Sequence, residues 1–529
     1  MNAAVSDRWI EAADGLKLCC RIWFPRGHGP WPVLLMRQPY GRAIASTITY
    51  AHPQWYANHG YVVVVQDVRG RGESEGTFLG FRQEAADGST TLAWLRSQRW
   101  CNGRIGSYGF SYQGLSQLLL EAADQLPDAL APAMAGLDER QHWASEGGCH
   151  WWALGLGWGL QLAAQSAQRR GDQQAWQEIR ASLDSQCFLR DGLELLERHD
   201  PEGMAASWFK HDPAAEEGWR IHEPPAALWR QPMLLIGGWH DPHLRGVLDL
   251  WQRSRNAGGA PLLRIGAWSH LRWQGGIDRL QLSFFDRHLR DRDRPEPGRP
   301  ELPAEPCWMQ DLSSNRWQPR SPHQCSQQRW SLSSEGLAAV DCSEGRLSSE
   351  ADAGGSVTVV HDPWRPLPGR GGHLGLDAGL VDRGDLDERC DVACFNTAPC
   401  EQPIELIGQP VLRLSAAADQ PGFDLCVALS VLKADGAVLQ CSSGVLRQRG
   451  EGCLQQINRR VALQPLLLTL QPGERLRLSI GLAAWPQIAV NPGDGSLPSG
   501  PTGIQCRVIS VTFNLAGASF SIEPMIGAN

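Results

Sequence analysis

The fold is decided by the stretch RIGSYGFSYQGLSQLLL, residues 104–120. Its first part, Arg104 to Tyr108, predicts a β-strand, and the run Leu115 to Asp124 has the spacing of a helix. Between them, Gly109 to Gly114 leaves room only for a sharp turn. A serine on a strained turn between a strand and a helix presents its hydroxyl at the end of a sheet. The pattern therefore predicts Ser111 as a nucleophile.

A literal G-x-S-x-G motif stands elsewhere, at residues 72–76, but its context argues against a nucleophile. Ser74 lies among glycines and charged residues and is followed by Thr77 to Gly80. No helix is predicted to begin there, so the strand-to-helix turn that exposes a nucleophile is missing. We expect this segment to be a flexible loop.

The chain is long enough for two or three domains, and its texture changes along its length. In residues 1–137, short apolar runs alternate with amphipathic stretches, which indicates βαβ units and a mainly parallel sheet. Residues 138–230 are rich in Ala, Leu, Gln and Trp at helical spacing, so an all-helical insertion is expected there. The strand–helix pattern resumes in residues 231–291.

A second type of domain is expected after residue 306. Residues 292–306 carry five prolines among charged residues, which is typical of an interdomain linker. Residues 307–529 contain short alternating runs separated by Gly, Asp and Pro, which predicts an antiparallel sandwich or jelly roll. The predicted fold class is thus α/β, with an inserted helical cap and a C-terminal β jelly-roll domain.

A serine becomes a nucleophile when a histidine, oriented by an acid, takes its proton. On a strand–elbow–helix scaffold the acid and the histidine follow the serine, each at the C-terminal end of a strand. Asp241 ends the apolar run 233–240, and His270 ends the run 262–269. The sequence therefore predicts a triad of Ser111, Asp241 and His270. His240 and His243 have the spacing of a metal pair, but no third ligand is evident, and no metal or cofactor is predicted.

An oxyanion hole requires two hydrogen-bond donors. The backbone N–H of Tyr112, directly after the serine, is one by construction. The other is expected from the loop after the strand 32–36, where Tyr40 stands. The sequence alone leaves open whether the Tyr40 hydroxyl donates or whether Tyr40 is a packed loop aromatic.

Charge and composition limit the partners of the chain. The net charge is −8 with no long basic run, which argues against nucleic acid or an anionic membrane surface as the main partner. No signal peptide or membrane-spanning run is evident, so we expect a cytoplasmic protein. The 15 cysteines form no repeated C-x-x-C framework and are expected to be reduced.

Several segments resemble the cocaine esterase / X-Pro dipeptidyl-peptidase family, which includes α-amino-acid ester hydrolases and glutaryl acylases. The similar segments are Arg37–Gly41, Asp67–Gly76, Gly109–Gly114, Gly238–Asp241, Ala267–His270, Arg389–Val392 and Gly422–Leu425. The resemblance implies an α/β-hydrolase core with a helical cap and a jelly roll, the triad named above, no cofactor, and a Tyr40 hydroxyl that donates to the oxyanion. The acidic cluster by which the amino-acid ester hydrolases bind a substrate amine has no match here, which argues against an α-amino substrate.

The predicted function is hydrolysis of a carboxylic ester or amide, X-Pro dipeptides included, through an acyl-enzyme on Ser111. Two alternatives stay open, a non-catalytic binding protein on a hydrolase scaffold and an acyltransferase that uses the same triad. The expected partners are small esters, amides or short peptides, and a homodimer is conceivable. Among the tryptophans of the insertion, Trp151 and Trp152 are candidates for lining an acyl pocket, against the alternative that they pack between helices.

Overall fold

Two β-sheets organise the chain, which a computed structural model describes over residues 5–43, 49–273, 276–290, 302–350 and 354–526. Most of the predicted linker, residues 292–301, lies outside this description. In the first part of the chain the strands are β1 Val5–Glu11, β2 Lys17–Trp23, β3 Trp31–Gln38, β4 Val62–Asp67, β5 Cys101–Phe110, β6 Ala129–Ala133, β7 Ser145–Glu146, β8 Cys149–His150, β9 Leu234–His240, β10 Leu262–Ser269, β11 Cys307–Gln310 and β12 Trp317–Pro319.

The first sheet has the strand order β1-β2-β4-β3-β5-β6-β9-β10-β11-β12 within the described residues. From β4 to β11 the neighbouring strands run parallel. Their sequences are nearly continuous apolar runs because helices cover both faces of the sheet. The α-helices are α1 Pro53–Asn58, α2 Glu84–Ser97, α3 Tyr112–Ser116, α4 Trp152–Arg170, α5 Gln173–Asp184, α6 Phe188–His199, α7 Met204–Lys210, α8 Leu244–Asn256, α9 Ile277–Leu289 and α10 Gly384–Asp387.

The helix after the elbow is shorter than predicted. The sequence predicted a helix over 115–124, whereas α3 ends at Ser116. The Ser89 side chain of α2 accepts hydrogen bonds from the backbone N–H groups of Glu121 and Ala122, at 3.0 and 3.2 Å. These donors are therefore satisfied without a helical turn, which a hydrophobic pattern does not reveal.

The insertion is mostly helical, but it begins differently from the prediction. A π-helical turn, Arg140–Ala144, and the hairpin β7–β8 precede the four helices α4 to α7. Gly147 and Gly148 form the tip of the hairpin with positive φ angles of 55° and 79°. The Gly147 carbonyl accepts a hydrogen bond of 2.7 Å from the backbone N–H of Arg447 in the C-terminal region. A strand pair this short is formed by such contacts and leaves no period-2 pattern in the sequence.

The C-terminal region also caps the first helix of the insertion. A helix leaves its first backbone N–H groups without intrahelical acceptors, and no side chain caps the N-terminus of α4. The N–H groups of Trp152 and Ala153 instead donate to the carbonyls of Gln487 and Pro486, at 2.9 and 3.1 Å. The position of the insertion is thus tied to the far end of the chain.

The C-terminal sheet has twelve strands within the described residues, almost all in antiparallel pairs. Together with the first sheet and the inserted helices, it confirms the predicted fold class. Its strands are β13 Arg329–Ser333, β14 Gly345–Ser348, β15 Ser356–His361, β16 Val381–Asp382, β17 Val392–Asn396, β18 Ile404–Ala418, β19 Gly422–Leu432, β20 Val438–Arg449, β21 Ile457–Ala462, β22 Leu466–Leu470, β23 Arg475–Gly481 and β24 Ile509–Glu523.

The predicted start of this domain, residue 307, falls at the first of two strands that belong to the first sheet. Strands β11 and β12 extend the first sheet, with β11 parallel to β10 and Leu263 opposite Cys307. The Trp239 indole N–H also donates to the Gln310 carbonyl at 2.7 Å. These bonds pair the otherwise open edge of β10, which explains why the first sheet continues past the proline-rich segment. None of the helices in the described part of the chain has the length and hydrophobicity that crossing a bilayer requires.

A buried histidine joins the hairpin to α7. His150 is 3% exposed, and its Nε2 lies 3.2 Å from the Trp208 carbonyl and 3.1 Å from the His211 carbonyl, so this nitrogen donates its hydrogen to them. Burial lowers the pKa of His150 to about 4. His150 is consequently neutral in the folded protein at pH 7.

We predict that His150 makes the protein less stable below pH 6.5. In the unfolded chain a histidine has a pKa of about 6.5, so the unfolded state takes up a proton that folded His150 does not accept until near pH 4. Its contribution to stability is complete above that window and is lost as the pH falls through it. Between pH 6.5 and 5.0 the loss is about 2 kcal/mol.

The measurement is the urea midpoint at pH 7.0 and pH 5.0, followed by tryptophan fluorescence. His150→Gln keeps a donor without a titration in this range, so its midpoint should change less between the two pH values than that of the wild type. His28→Gln, in an exposed position, is the control and should behave as the wild type does. Equal pH dependence in His150→Gln and the wild type would contradict the prediction.

Candidate active site

The predicted elbow is present at the end of β5. Ser111 has φ 58° and ψ −127°, a conformation that a non-glycine residue adopts only under strain. Its backbone N–H donates to the Ala133 carbonyl at 2.9 Å, and α3 begins with the next residue, Tyr112. A Cβ atom on Gly114 would lie 2.6 Å from the same Ala133 carbonyl, so only glycine allows α3 to approach β6 this closely.

The serine of the literal G-x-S-x-G motif has a structural role. Ser74 is fully buried, its hydroxyl donates to the Asp67 carbonyl at 2.6 Å, and it accepts from the Cys19 N–H at 2.8 Å. The segment around it is a loop, and no helix begins directly after the serine. Ser74 therefore holds this loop against the sheet and is inaccessible to a substrate.

The predicted acid and base lie at the same edge of the sheet as the elbow. Strands β5, β6, β9 and β10 are consecutive parallel neighbours, so the residues that follow β5, β9 and β10 meet at their carboxyl ends. His270 Nδ1 is 2.5 Å from Asp241 Oδ2. Asp241 is fully buried, while the His270 side chain is 27% exposed. This pairing leaves His270 Nε2 directed away from the acid, as a general base requires.

Asp241 is held as a carboxylate. Burial opposes its ionisation, but the neighbouring His270 and the hydrogen bonds it accepts lower its pKa below the usual value. One of these bonds comes from the backbone N–H of His243, 2.9 Å from Oδ1. From the C-terminal domain, the Gln464 side chain donates to the Asp241 backbone carbonyl at 2.7 Å. The acid is thus fixed from both domains.

Ser111 is a neighbour of His270, although the described residues contain no hydrogen bond between the two side chains. The ring of Phe110, the residue before the elbow serine, lies 5.4 Å from the His270 ring centroid. The Ser111 hydroxyl interacts with the Tyr40 hydroxyl. In unliganded enzymes such catalytic contacts are often long or poorly aligned and tighten with substrate.

Two donors converge on the elbow. Burial raises the pKa of Tyr40 to about 12, so its hydroxyl keeps its proton. The Trp158 indole N–H donates to Tyr40 Oη at 3.1 Å, which leaves the tyrosine proton available for another acceptor. The Tyr112 N–H is the first of α3 and has no intrahelical acceptor. Of the two roles that the sequence left open for Tyr40, this geometry favours the donor.

Aromatic residues of the insertion form one wall of the site, but they differ from those predicted. Trp158 lies between Trp143 and Trp208, with ring centroids 6.0 and 5.8 Å apart. The Trp151 ring lies 5.6 Å from the ring of His243, which separates it from the base His270. Trp152 packs among the inserted helices and donates to the carbonyl of residue 189 at 2.9 Å, which fits the alternative that it packs between helices.

Trp143, Trp158 and His243 contact the site, although sequence patterns did not predict them there. Trp158 is 118 positions from Tyr40 along the chain, and no local pattern distinguishes it from the other tryptophans of the insertion. His243 was considered only as half of a metal pair with His240. Its Nδ1 is 2.6 Å from the His142 carbonyl, and the described residues contain no group of three or more His, Cys, Asp or Glu side chains placed to hold a metal ion.

Comparison with known proteins identifies both parts of the chain. Residues 14–272 match the family model of the X-Pro dipeptidyl-peptidases (S15 family), and residues 304–514 match the model of the X-Pro dipeptidyl-peptidase C-terminal non-catalytic domain. The chain is 27% identical over 489 residues to a cocaine esterase from Rhodococcus sp. (strain MB1 Bresler). The aligned region covers 84% of this chain and 83% of that esterase.

Solved structures share the whole fold. An α-amino acid ester hydrolase superimposes with a TM-score of 0.72 at 19% identity, covering 99% of this chain and 96% of its own. An aminopeptidase from a marine sediment Thaumarchaeota archaeon superimposes with a TM-score of 0.77 at 19% identity, covering 98% and 96%. At this identity the likeness shows the fold alone. With both family models matched in order, the chain belongs to the cocaine esterase / X-Pro dipeptidyl-peptidase family of α/β-hydrolases, and it is a serine hydrolase.

Proposed function

We propose that this hydrolase is a carboxylesterase whose nucleophile is Ser111. The observation that carries the proposal is the pairing of His270 with the buried Asp241 at the edge where Ser111 projects from its strained turn. His270 takes the proton of Ser111 as the hydroxyl attacks the acyl carbon. The leaving alcohol then receives that proton, and a water molecule, activated in the same way, releases the acid from the acyl-enzyme.

The oxyanion formed in each step is stabilised by the Tyr112 N–H and the Tyr40 hydroxyl. Both donors are fixed before the substrate binds, Tyr112 by the start of α3 and Tyr40 by its hydrogen bond from Trp158. Preorganised donors of this kind stabilise developing charge without reorganisation at the moment of reaction. This arrangement supports the proposed roles of Tyr40 and Tyr112.

An ester is favoured over an X-Pro peptide by the charges around the elbow. A dipeptidyl-peptidase has to bind the free amino group of its substrate, which calls for an accessible carboxylate. Among the described residues, Asp241 beside the base is fully buried and paired with His270, and Glu84, which accepts a hydrogen bond from the Tyr112 hydroxyl, is 2% exposed and paired with Arg37. Glu146, another acid at the domain interface, is 3% exposed and paired with His373 at 2.7 Å. An uncharged acyl group therefore fits these surroundings better than one that carries an ammonium group.

The cellular setting is part of the proposal. All fifteen cysteines are free thiols, which supports a reducing compartment such as the cytoplasm. The homodimer suggested by the sequence stays a prediction, and light scattering coupled to size-exclusion chromatography would measure it.

We predict that a fluorophosphonate probe labels Ser111 and that Ser111→Ala abolishes both labelling and ester hydrolysis. The physical reason is that the probe reacts with a serine activated by a neighbouring base. Mass spectrometry of the labelled peptide identifies the residue. Ser74→Ala, the control for the literal motif, should keep the adduct on Ser111 in whatever fraction folds.

Folded wild-type protein that forms no adduct would contradict the proposal and favour the binding protein considered from the sequence. An acyltransferase would give an adduct as well. It would differ in product, because added alcohol would then receive most of the acyl group in place of water.

We predict that Tyr40→Phe lowers kcat by about 10²–10³, since it removes one oxyanion donor. Trp158→Phe keeps the stacked ring but loses the indole N–H, and a neutral hydrogen bond of this kind corresponds to a loss of about 3–10-fold. Steady-state hydrolysis of p-nitrophenyl esters measures both effects. In a Tyr40→Phe background, Trp158→Phe should cost nothing further, because it acts through Tyr40. A Tyr40→Phe enzyme with wild-type kcat would remove Tyr40 from the oxyanion hole.

A further inference from the structure

One polar atom in the wall of the site has no role in the mechanism above. An arc of side chains runs from the oxyanion donor to the base, through Tyr40, Trp158, Trp143, His243 and His270. Its successive contacts are a hydrogen bond of 3.1 Å followed by ring-centroid distances of 6.0, 4.5 and 4.8 Å. The middle of the arc is aromatic except for the imidazole of His243.

The protonation of His243 is fixed by its neighbours. Its Nδ1 is 2.6 Å from the His142 backbone carbonyl, which can only accept, so Nδ1 carries the hydrogen. Burial lowers the pKa of His243 to about 4, and the ring is therefore neutral at pH 7. In this tautomer Nε2 is a hydrogen-bond acceptor.

The acceptor has no partner in the described part of the chain. Nε2 forms no hydrogen bond with the described residues, and His243 keeps a small exposed area of 6%. The rings of Trp143, Trp151 and His270 surround the imidazole, so Nε2 lies next to the base. A group bound there would be in contact with Nε2.

The bound group has to be a neutral donor. The rings of His243 and His270 are 4.8 Å apart, and His270 becomes positively charged while it holds the serine proton. An ammonium group bound to His243 would repel that charge and raise the barrier. A hydroxyl satisfies Nε2 without this penalty.

The group belongs to the acyl part of the substrate. The His270 side chain is 27% exposed and so offers the leaving alcohol a way to solvent, whereas His243 is 6% exposed and packs against Trp143 and Trp151 of the insertion. The acyl part, which remains attached to Ser111 until hydrolysis, occupies the closed side. On the basis of the proposed function, we propose that His243 Nε2 accepts a hydrogen bond from a hydroxyl of an aryl acyl group. The enzyme therefore prefers esters of hydroxylated aromatic acids.

The test compares matched methyl esters on two scaffolds. The first is phenylacetate with its α-hydroxyl, α-methoxy and α-amino forms, and the second is benzoate with its three monohydroxy forms. The wild type should hydrolyse at least one hydroxylated ester with a kcat/KM about tenfold above its parent, in keeping with one neutral hydrogen bond. The methoxy and amino forms should not exceed the parent. A wild type with no hydroxyl preference on either scaffold would overturn the proposal without any variant.

His243→Phe keeps a ring of similar shape and removes the acceptor. Its hydroxyl preference, which is the ratio of kcat/KM for a hydroxylated ester to kcat/KM for its parent in the same enzyme, should fall to about one, whatever the substitution does to the rate for the parent. His361→Phe, a buried histidine of β15 in the C-terminal sheet, is the matched control and should keep the preference. Survival of the preference in folded His243→Phe would overturn the proposal.

A second series separates the acyl part from the leaving group. The preferred acid is tested as its methyl and phenyl esters, and the parent acid is tested with hydroxylated alcohols. The preference should follow the acid in every case, and a preference that follows the alcohol would contradict the assignment. Failure of the proposed function would look different, because no ester would be hydrolysed and the probe would not label Ser111.

Discussion

The site depends on one constraint, which is that neighbouring parallel strands end at the same edge of their sheet. Ser111, Asp241 and His270 follow β5, β9 and β10, and β6 completes the set of adjacent strands. Ser111 and Asp241 are 130 residues apart along the chain, and Asp241 and His270 are 29 apart. They lie at the same edge of the sheet because the strands, and not the loops, set the position of each residue. The strained elbow and the short α3 then orient the serine toward the cleft above that edge.

The inserted helices complete what the sheet begins. Tyr40 comes from the loop after β3, but its hydroxyl is oriented by Trp158 of α4. Trp143 and His243 continue the wall to His270, and the C-terminal domain reaches the acid through Gln464. The core therefore supplies the predicted triad, while the other two domains supply contacts around it.

Sequence patterns predicted the parts of this arrangement that local chemistry encodes. The elbow needs a strand, a small-residue turn and a helix in direct succession, and the acid and the histidine need strand ends, so each leaves a contiguous signal. The same reasoning rejected Ser74, whose hydroxyl is fully committed to the Asp67 carbonyl and the Cys19 N–H.

The features that were missed depend on contacts between distant residues. The end of α3 is set by Ser89, the extension of the first sheet by the pairing of β11 with β10, and the role of Trp158 by Tyr40. A tryptophan that packs in a helical core, such as Trp152, has the same local sequence signature as one that lines a cleft. Only tertiary contacts determine which of these two positions a tryptophan occupies.

The capping of α4 by Gln487 and Pro486 has a consequence for synthesis on the ribosome. The acceptors for the first N–H groups of this helix lie more than 330 residues beyond it in the chain. At a translation rate of about 5–20 residues per second, roughly 20–70 s pass between the emergence of the helix and that of its acceptors. Through this interval only water can satisfy these N–H groups, and α4 reaches its capped state only when the last domain has folded.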